Sequence, residues 1–179
     1  MCGKLIFHHG TVNSSKTMVL LSMCHNYESC GYNVITIKPA LDSRSELIET
    51  RAGVPPRKPD IVLSSNDLIS DYSNIIINAD VILVDECQFL TSLQVDELRA
   101  VTIDRNIDVI CFGLRTDSNT HLFDASKRLF ELADDIVEVK TICSVCGKHA
   151  SFNRKNSSNK QLIDCGWDTF VQTCWEHFK

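Results

Sequence analysis

A short polar loop near the start of the chain limits the possible folds more than any other feature. It occupies residues 10–17 (GTVNSSKT), directly after the apolar segment 5–7 and directly before the apolar stretch 18–21. A strand, a tight turn and a helix in this order aim several backbone N–H groups at one point, where they can bind an anion. The loop therefore predicts an α/β fold with a phosphate site at a helix N-terminus.

The loop matches the pattern G-x-x-x-x-G-K-[ST] at three of its four fixed positions. Lys16 is placed to reach the β- and γ-phosphates of a nucleoside triphosphate, and Thr17 to offer its hydroxyl to Mg²⁺. Ser15 stands where the pattern has glycine, at a cost on the order of 1 kcal/mol if the backbone there needs a positive φ. The competing interpretation is a polar turn with Ser14 or Ser15 as an ordinary helix N-cap. The predicted phosphate-binding residues are Gly10, Thr11, Val12, Asn13, Ser14, Ser15, Lys16 and Thr17.

Strand-like and helix-like segments alternate over the first 140 residues. The apolar run at 81–84 (VILV) is typical of a strand that a parallel sheet buries on both faces. The sequence predicts a doubly wound, mostly parallel α/β domain over residues 1–140, with ligands at the carboxyl ends of the strands. Predicted strands cover 5–8, 33–37, 81–84, 109–112 and 136–140; predicted helices cover 16–29, 66–73, 92–105 and 123–133, with 41–60 mostly loop and Gly31 as a helix C-cap.

Composition excludes several classes of protein. A net charge of −5 disfavours a broad nucleic-acid-binding face. The chain has no apolar run of membrane-spanning length and no signal-peptide pattern, so we expect a cytoplasmic protein without a membrane partner. Nine cysteines, an odd number, fit a reducing compartment. We interpret four of them as small buried hydrophobic side chains: Cys24, Cys30, Cys87 and Cys111.

Residues 141–179 have a different character and form a predicted small second domain. Two pairs of metal-binding side chains lie there, a C-x-x-C followed by glycine and a C-x-x-H. Alone, a C-x-x-C also fits a redox motif, and Cys165 competes for a ligand position. Together the two pairs predict a closed, structural Zn²⁺ site with four ligands. These are Cys143, Cys146, Cys174 and His177.

Two adjacent carboxylates follow the apolar run at 81–84. Asp85 suits the holding of Mg²⁺, directly or through water, and Glu86 could accept a proton from a substrate hydroxyl. The bland alternative is a solvated acidic loop after a strand. Next to a phosphate loop, the pair favours phosphoryl transfer.

Longer motifs resemble one known family. Residues 83–91 (LVDECQFLT) resemble the D-E-[CGA]-Q-F signature of the type II thymidine kinases, which carry a zinc-bearing lasso domain. Residues 111–117 (CFGLRTD) resemble the G-L-R-T-D motif of the enterobacterial-type branch, and 137–143 fit the family's entry into its zinc knuckle. The resemblance covers nearly the whole chain. It implies a P-loop α/β fold with a small zinc-binding lasso domain.

The resemblance implies a kinase of nucleotide salvage that uses Mg²⁺ and ATP to phosphorylate the 5′-hydroxyl of thymidine or deoxyuridine, supplying dTMP for DNA synthesis. Glu86 matches the family's catalytic base, and Asp85 and Gln88 extend the nucleotide and Mg²⁺ site. Arg44 belongs to a D-x-R match that starts at Asp42. It would offset charge on the transferred phosphoryl group; otherwise it is a surface arginine paired with Asp42.

The same resemblance implies a nucleoside pocket, with residues 162–170 as a lasso that grips the base through backbone amides. Its predicted contacts are Phe89, Leu114, Phe123, Ile163 and Phe170. It further implies a homotetramer and feedback inhibition by dTTP. The chain departs from the family pattern at Val12, Ser15, Ser118, Asp164 and Cys165. Two alternatives follow: a same-fold kinase with a shifted nucleoside preference, and a non-catalytic paralogue that binds nucleotide.

Overall fold

A six-stranded parallel sheet forms the body of the molecule. The computed structural model describes residues 2–43, 45–156 and 169–179. The strand order is β3-β2-β4-β5-β1-β6, and every neighbouring pair is parallel. The strands are β1 (Leu5–His9), β2 (Val34–Pro39), β3 (Ile61–Leu63), β4 (Val81–Val84), β5 (Asp108–Gly113) and β6 (Asp135–Glu138).

Helices cover both faces of this sheet, as parallel pairing requires. They are α1 (Lys16–Ser29), the single turn α2 (Ser73–Ile76), α3 (Ser92–Asp104) and α4 (Asp124–Leu132). Short 3₁₀ turns lie at Ile69–Tyr72 and Cys87–Phe89. None of the helices in the described ranges has both the length and the apolar character needed to cross a bilayer.

Two hydrophobic clusters lie on opposite faces of the sheet, because successive side chains of a strand alternate. Ile82 and Val84 of β4 belong to the cluster that contains Leu98 of α3. Leu83, between them, belongs to the cluster that contains Leu20 of α1. This is the doubly wound arrangement that the sequence predicts. The carboxyl ends of the parallel strands β1, β4 and β5 therefore lie at one edge of the sheet, and the loop at 10–17 begins at that edge.

A small lobe follows β6. It contains the antiparallel pair β7 (Phe152–Lys155) and β8 (Phe170–Thr173), then the single turn α5 (Trp175–Phe178). The rings of Phe152, Trp175 and Phe178 pack together with centroids 5.0–5.7 Å apart. These three rings form an apolar cluster within the lobe. Two metal-binding side chains, Cys143 and Cys146, precede β7, and two, Cys174 and His177, follow β8.

Some sequence predictions need correction. The predicted helix at 66–73 is instead the 3₁₀ turn and α2, because the Asp71 carboxylate accepts the N–H of Leu68 and closes a tight turn. The sequence missed β3, a three-residue strand with one exposed side chain, which is too short to show a period. Cys30 is exposed just beyond the last turn of α1, so its interpretation as a buried side chain is wrong. Gly31 has the expected left-handed conformation after that helix, with φ of 85°.

Candidate active site and zinc centre

The phosphate loop connects β1 to the N-terminus of α1 in a strained conformation. Asn13 and Ser15 both have left-handed backbone angles, with φ of 57° and 66°. The side chain of Ser15 makes no capping hydrogen bond, so it is not an ordinary N-cap. The backbone at the glycine position of the pattern therefore does have a positive φ here. Serine destabilises this conformation, because its Cβ crowds the backbone in the left-handed region. The loop keeps its shape despite that serine.

Lys16 and Thr17 occupy the positions that the pattern assigns to them. The Lys16 ammonium lies 2.7 Å from the carbonyl oxygen of Thr11 and 3.3 Å from Ser14 Oγ, and the residue is only 8% exposed. The Thr17 hydroxyl donates to the Asp85 carboxylate, 3.2 Å from Oδ1. A hydroxyl and a carboxylate side by side are oxygen donors of the kind that Mg²⁺ binds. The pair fits a magnesium site between α1 and the end of β4.

Only glycine fits at position 10, because the backbone of the phosphate loop lies very close to the segment that follows β6. A Cβ at this position would lie 2.5 Å from the carbonyl oxygen of Val139 and 2.5 Å from Ser14 Oγ. Gly10 also donates its N–H to the carbonyl of Gly113 at 3.2 Å. The loop is thus packed against the chain that leaves β6 and against the end of β5.

Glu86 stands directly beyond β4 in a left-handed conformation, with φ of 48°. Non-glycine residues in this region cost of order 1–3 kcal/mol and persist where the surroundings hold them. Here the Gln88 amide donates to Glu86 Oε2 at 2.5 Å, while its oxygen accepts the N–H of Leu114 at 2.9 Å. The buried Gln88 side chain thus orients the carboxylate and joins it to the end of β5.

Gly113 and Cys87 make room for that glutamine. A Cβ on Gly113 would lie 2.6 Å from both Cys87 Sγ and Gln88 Oε1. Burial is the main cause that raises the pKa of the Cys87 thiol well above its ordinary value, and the neighbouring Cys111 adds to it. Cys87 therefore stays a neutral, close-packed side chain beside the carboxylates. The predicted role of Cys87 as a small buried side chain is confirmed.

A buried ion pair that sequence reasoning missed lies next to the carboxylates. Lys38 Nζ is 3.1 Å from Asp42 Oδ2, and both side chains are 4% exposed. The same ammonium donates to the backbone carbonyls of Ser45 and Leu47. A lysine inside the mostly apolar, fully buried β2 is the signal that could have revealed it. Predicted Arg44 lies outside the described residues.

These groups share one small polar cavity of about 40 Å³. Its walls bring together the ends of α1, β2 and β4, as expected for ligand sites of doubly wound sheets. The lining residues are Thr17, Lys38, Asp42, Ser45, Leu47, Glu49, Asp85 and Glu86.

Two of the five predicted nucleoside contacts meet directly, since the rings of Phe89 and Phe123 pack edge to face with centroids 6.1 Å apart. The backbone N–H of a third, Leu114, donates to the side chain of Gln88, the residue before Phe89. Phe170 lies instead on β8 of the small lobe, where the Lys155 ammonium is 5.9 Å from its ring. Ile163 is outside the described residues.

The four predicted zinc ligands converge in the small lobe, with all donor atoms within 4.8 Å of one another. Cys146 Sγ lies 3.7 Å from Cys174 Sγ, and His177 Nδ1 lies 3.8 Å from Cys143 Sγ and 3.2 Å from Cys174 Sγ. Zn–S bonds of about 2.3 Å in a tetrahedron require sulfur atoms about 3.8 Å apart. The Cys₃His set therefore fits a closed Zn²⁺ site. Cys165, the competing ligand, lies outside the described residues.

The local backbone prepares one of these thiols for a metal. Burial alone would raise the pKa of Cys143, but hydrogen bonds from the backbone N–H groups of Cys174, Val145 and Cys146 outweigh it and lower the pKa to about 6. Zinc binds the thiolate. The turn thus favours the form of Cys143 that binds metal.

The sheet, the strained loop and the acidic strand end define a P-loop α/β protein with a zinc-binding lobe. The family model described as thymidine kinase matches residues 3–178, and the chain belongs to this family of enzymes. The "Thymidine kinase" of Streptococcus agalactiae is 34% identical over 182 aligned residues, which cover 98% of this chain and 96% of that protein. The "Thymidine kinase" of Streptococcus pyogenes is 33% identical over 184, with the same coverage.

A solved structure shows a likeness in fold alone. The chain is similar to the replication initiator DnaA bound to AMPPCP and single-stranded DNA, with a TM-score of 0.50 and 18% identity. The match covers 77% of this chain and 40% of that one, so the chain spans well under half of the solved protein.

Proposed function

We propose that this member of the thymidine kinase family transfers the γ-phosphoryl group of ATP to the 5′-hydroxyl of thymidine, or of deoxyuridine, and releases ADP. The observation that carries the proposal is the hydrogen bond between Thr17 of the phosphate loop and Asp85 at the end of β4. It joins the two oxygen donors of a magnesium site at the point where the loop meets the carboxylates. The names of the relatives supply the substrate class.

In this proposal the loop residues 10–17 hold the phosphates of ATP through backbone N–H groups at the N-terminus of α1. The Lys16 ammonium shifts from the loop carbonyls to the phosphate oxygens, which are stronger partners for a cation. Thr17 and Asp85 would hold Mg²⁺, which supplies charge neutralisation at the phosphates. Arg44, carried over from the family motif, would stabilise the charge of the transferred group.

Glu86 acts as the base that accepts the proton of the 5′-hydroxyl. Its backbone strain and the 2.5 Å hydrogen bond from Gln88 restrict the carboxylate to one direction. Such restriction matters because a general base must lie within hydrogen-bond reach of the proton that it takes. Phe89, Leu114 and Phe123 would contact the nucleoside from the sheet side and Phe170 from the lobe, and the family resemblance implies Ile163 as a further contact.

We propose the division into a nucleotide-binding domain over 1–140 and a lasso domain over 141–179, with Zn²⁺ as a structural ion of the second. The homotetramer, feedback inhibition by dTTP and a cytoplasmic location stay predictions from the family resemblance. Light scattering of the purified protein, and inhibition assays with dTTP against thymidine, test the first two.

The test is the variant Glu86→Gln, which keeps the shape of the side chain and removes the base. We expect turnover of thymidine to fall by roughly 10²–10⁴-fold, the usual contribution of a general base, while the dissociation constant of Mg·ATP changes little. The control is Glu131→Gln, the same chemical change on α4, outside the cavity, which should retain most of the turnover.

Near-normal turnover in Glu86→Gln contradicts the assigned base. A panel of nucleosides with labelled ATP checks the substrate: a higher rate with a purine nucleoside than with thymidine contradicts thymidine as the acceptor. Tight Mg·ATP binding with no acceptor in the panel would instead favour the non-catalytic alternative.

A further inference from the structure

The phosphate loop is held from outside by the small lobe. The side-chain oxygen of Asn153 accepts the backbone N–H of Val12 at 2.8 Å. Its amide donates to the carbonyl of Thr116 at 3.0 Å. Asn153 is 4% exposed, so both of its polar atoms are paired in a site away from water. One side chain therefore ties the loop to the chain beyond β5.

A second side chain of the same hairpin reaches the next loop residue. Gln172 lies directly opposite Asn153 in the β7–β8 register. Its Oε1 accepts from the side-chain amide of Asn13 at 2.9 Å. The cross-strand pair thus contacts two consecutive residues of the loop, Val12 and Asn13. The lobe also accepts a hydrogen bond from Arg115 at the carbonyl of Ser151, 3.1 Å away.

The zinc ligands lie at the ends of this hairpin. Cys174 directly follows β8, and the N–H of Ser144, next to Cys143, donates to the carbonyl of Gln172 at 3.1 Å. An isolated two-stranded hairpin is marginally stable in water. The metal-binding cluster therefore lies where it can hold together the two strands that carry Asn153 and Gln172.

The loop needs such a restraint. It contains two non-glycine residues in the left-handed region, Asn13 and Ser15, and such residues persist only where the surrounding structure determines them. Inside the loop, Thr11 Oγ1 is buried with no hydrogen-bond partner among the described residues. The hydrogen bond that fixes the backbone of Val12 comes from the lobe.

We propose that Asn153 is a positioning residue that holds the phosphate loop in its ATP-binding shape, and that it couples the zinc site to the ATP site. The inference rests on the proposed function only in taking ATP as the ligand of the loop. When the hydrogen bonds of Asn153 are lost, the loop spends part of its time in other conformations. Its apparent affinity for ATP then falls in proportion to the population of the binding-competent conformation.

The variant Asn153→Ala tests this at 25 °C, with the protein fully folded and no nucleoside present. We expect the dissociation constant of Mg·ATP, measured by calorimetry, to rise about 3- to 10-fold, the worth of one buried hydrogen bond. Hydrogen exchange of the Val12 amide, followed by NMR, should become faster by a similar or larger factor. A merely structural asparagine would lower the melting temperature without changing either value in the folded protein.

Two control variants sharpen the result. Asn153→Asp keeps the acceptor for Val12 but loses the donor to Thr116, so protection of the Val12 amide should survive. Ser151→Ala changes the residue just before β7, where only the backbone carbonyl contacts Arg115, so the ATP affinity and the exchange at Val12 should stay as they are. Equal effects of Asn153→Ala and Asn153→Asp on Val12 exchange would contradict the assigned bond.

Removal of zinc with a chelator tests the coupling. In the unmodified protein, exchange at Val12 should accelerate when zinc leaves; in Asn153→Ala, zinc removal should add little, because the connection is already broken. If zinc removal accelerates Val12 exchange equally in both proteins, or in neither, the coupling through Asn153 is wrong. If the unmodified protein does not bind Mg·ATP, the proposed function fails, whereas the exchange result still decides the role of Asn153.

Discussion

The sheet body and the zinc lobe reach stability by different means. The body buries two hydrophobic clusters against six parallel strands, and each fully buried large apolar side chain contributes roughly 1.5–3 kcal/mol. The lobe has four-residue strands, and its buried side chains among the described residues include the polar Asn153 and Thr173. Hydrophobic burial thus holds the body together, whereas the lobe, over its described residues, has little apolar core and contains a Cys₃His cluster that fits Zn²⁺.

We expect the largest effect from a substitution that weakens the metal-binding cluster of the lobe and leaves the body intact. Cys146→Ser removes one of four ligands. Structural zinc sites have apparent binding free energies of ~10–16 kcal/mol, so losing a quarter of that weakens zinc binding by roughly a hundredfold or more. We expect zinc content to fall and amide protection to be lost in β7 and β8, with β4 still protected. Cys30→Ser, at an exposed free cysteine, is the control.

Metal analysis and hydrogen exchange on the same samples check the prediction. If β4 loses its protection together with β7, the body depends on the lobe and the contrast between the two regions is wrong. If zinc content is unchanged, Cys146 is not a ligand.

A smaller effect is expected inside the body. Gly113→Ala places a Cβ 2.6 Å from Cys87 Sγ and Gln88 Oε1, and such overpacking costs about 1–3 kcal/mol. The midpoint of denaturant unfolding should fall, and turnover should fall with it, because Gln88 loses its position beside Glu86. The double variant with Cys87→Ala, which vacates part of the space, should recover some of the stability. An unchanged midpoint in Gly113→Ala would contradict this packing.

The smallest effect concerns the loop between the two regions. Ser15→Gly removes backbone strain of roughly 1–2 kcal/mol, because glycine adopts the left-handed conformation freely. Glycine also lowers the free energy of unfolding by about 0.4–1 kcal/mol, because it raises the conformational entropy of the unfolded chain. We therefore expect a net stabilisation of about 1 kcal/mol or less, with slightly tighter Mg·ATP binding. Asn13→Gly should gain less, because asparagine tolerates this conformation better than serine. Loss of stability in Ser15→Gly would show that the serine makes a contact worth more than its strain.

The sequence predicted the body well where its pattern is long. Continuous apolar runs and a helix with a glycine stop identified β4, β5 and α1 close to their observed bounds. The three-residue β3 escaped because its pairing with β2 is decided by tertiary contact and not by a local period. A lysine in a mostly apolar strand indicates a buried ion pair, but the sequence contains no distances and so could not identify Asp42 as the partner of Lys38.

The motif residues of the candidate site were predictable from the sequence, but the residues that hold those motifs in position were not. Spacing alone grouped the four zinc ligands, which the structure brings together. By contrast, nothing local distinguishes Asn153 from other polar residues of a strand; its role depends on a partner 141 positions away. Such supports follow from the packing of distant segments, for which a single sequence carries no signal.

The position of β1 in the sheet has a consequence for the newly made chain. β1 pairs with β5 on one side and with β6 on the other, so Leu5 lies opposite Val109 and Ile6 opposite Asp135. At a ribosomal rate of roughly 5–20 residues per second, β5, the first strand that pairs with β1, is synthesised on the order of 5–20 s after β1. During that time its apolar side chains are open to chaperones and to other nascent chains. The strand that leads into the phosphate loop is thus synthesised before the other five strands of the sheet and gains both of its neighbours only when β5 and β6 have been made.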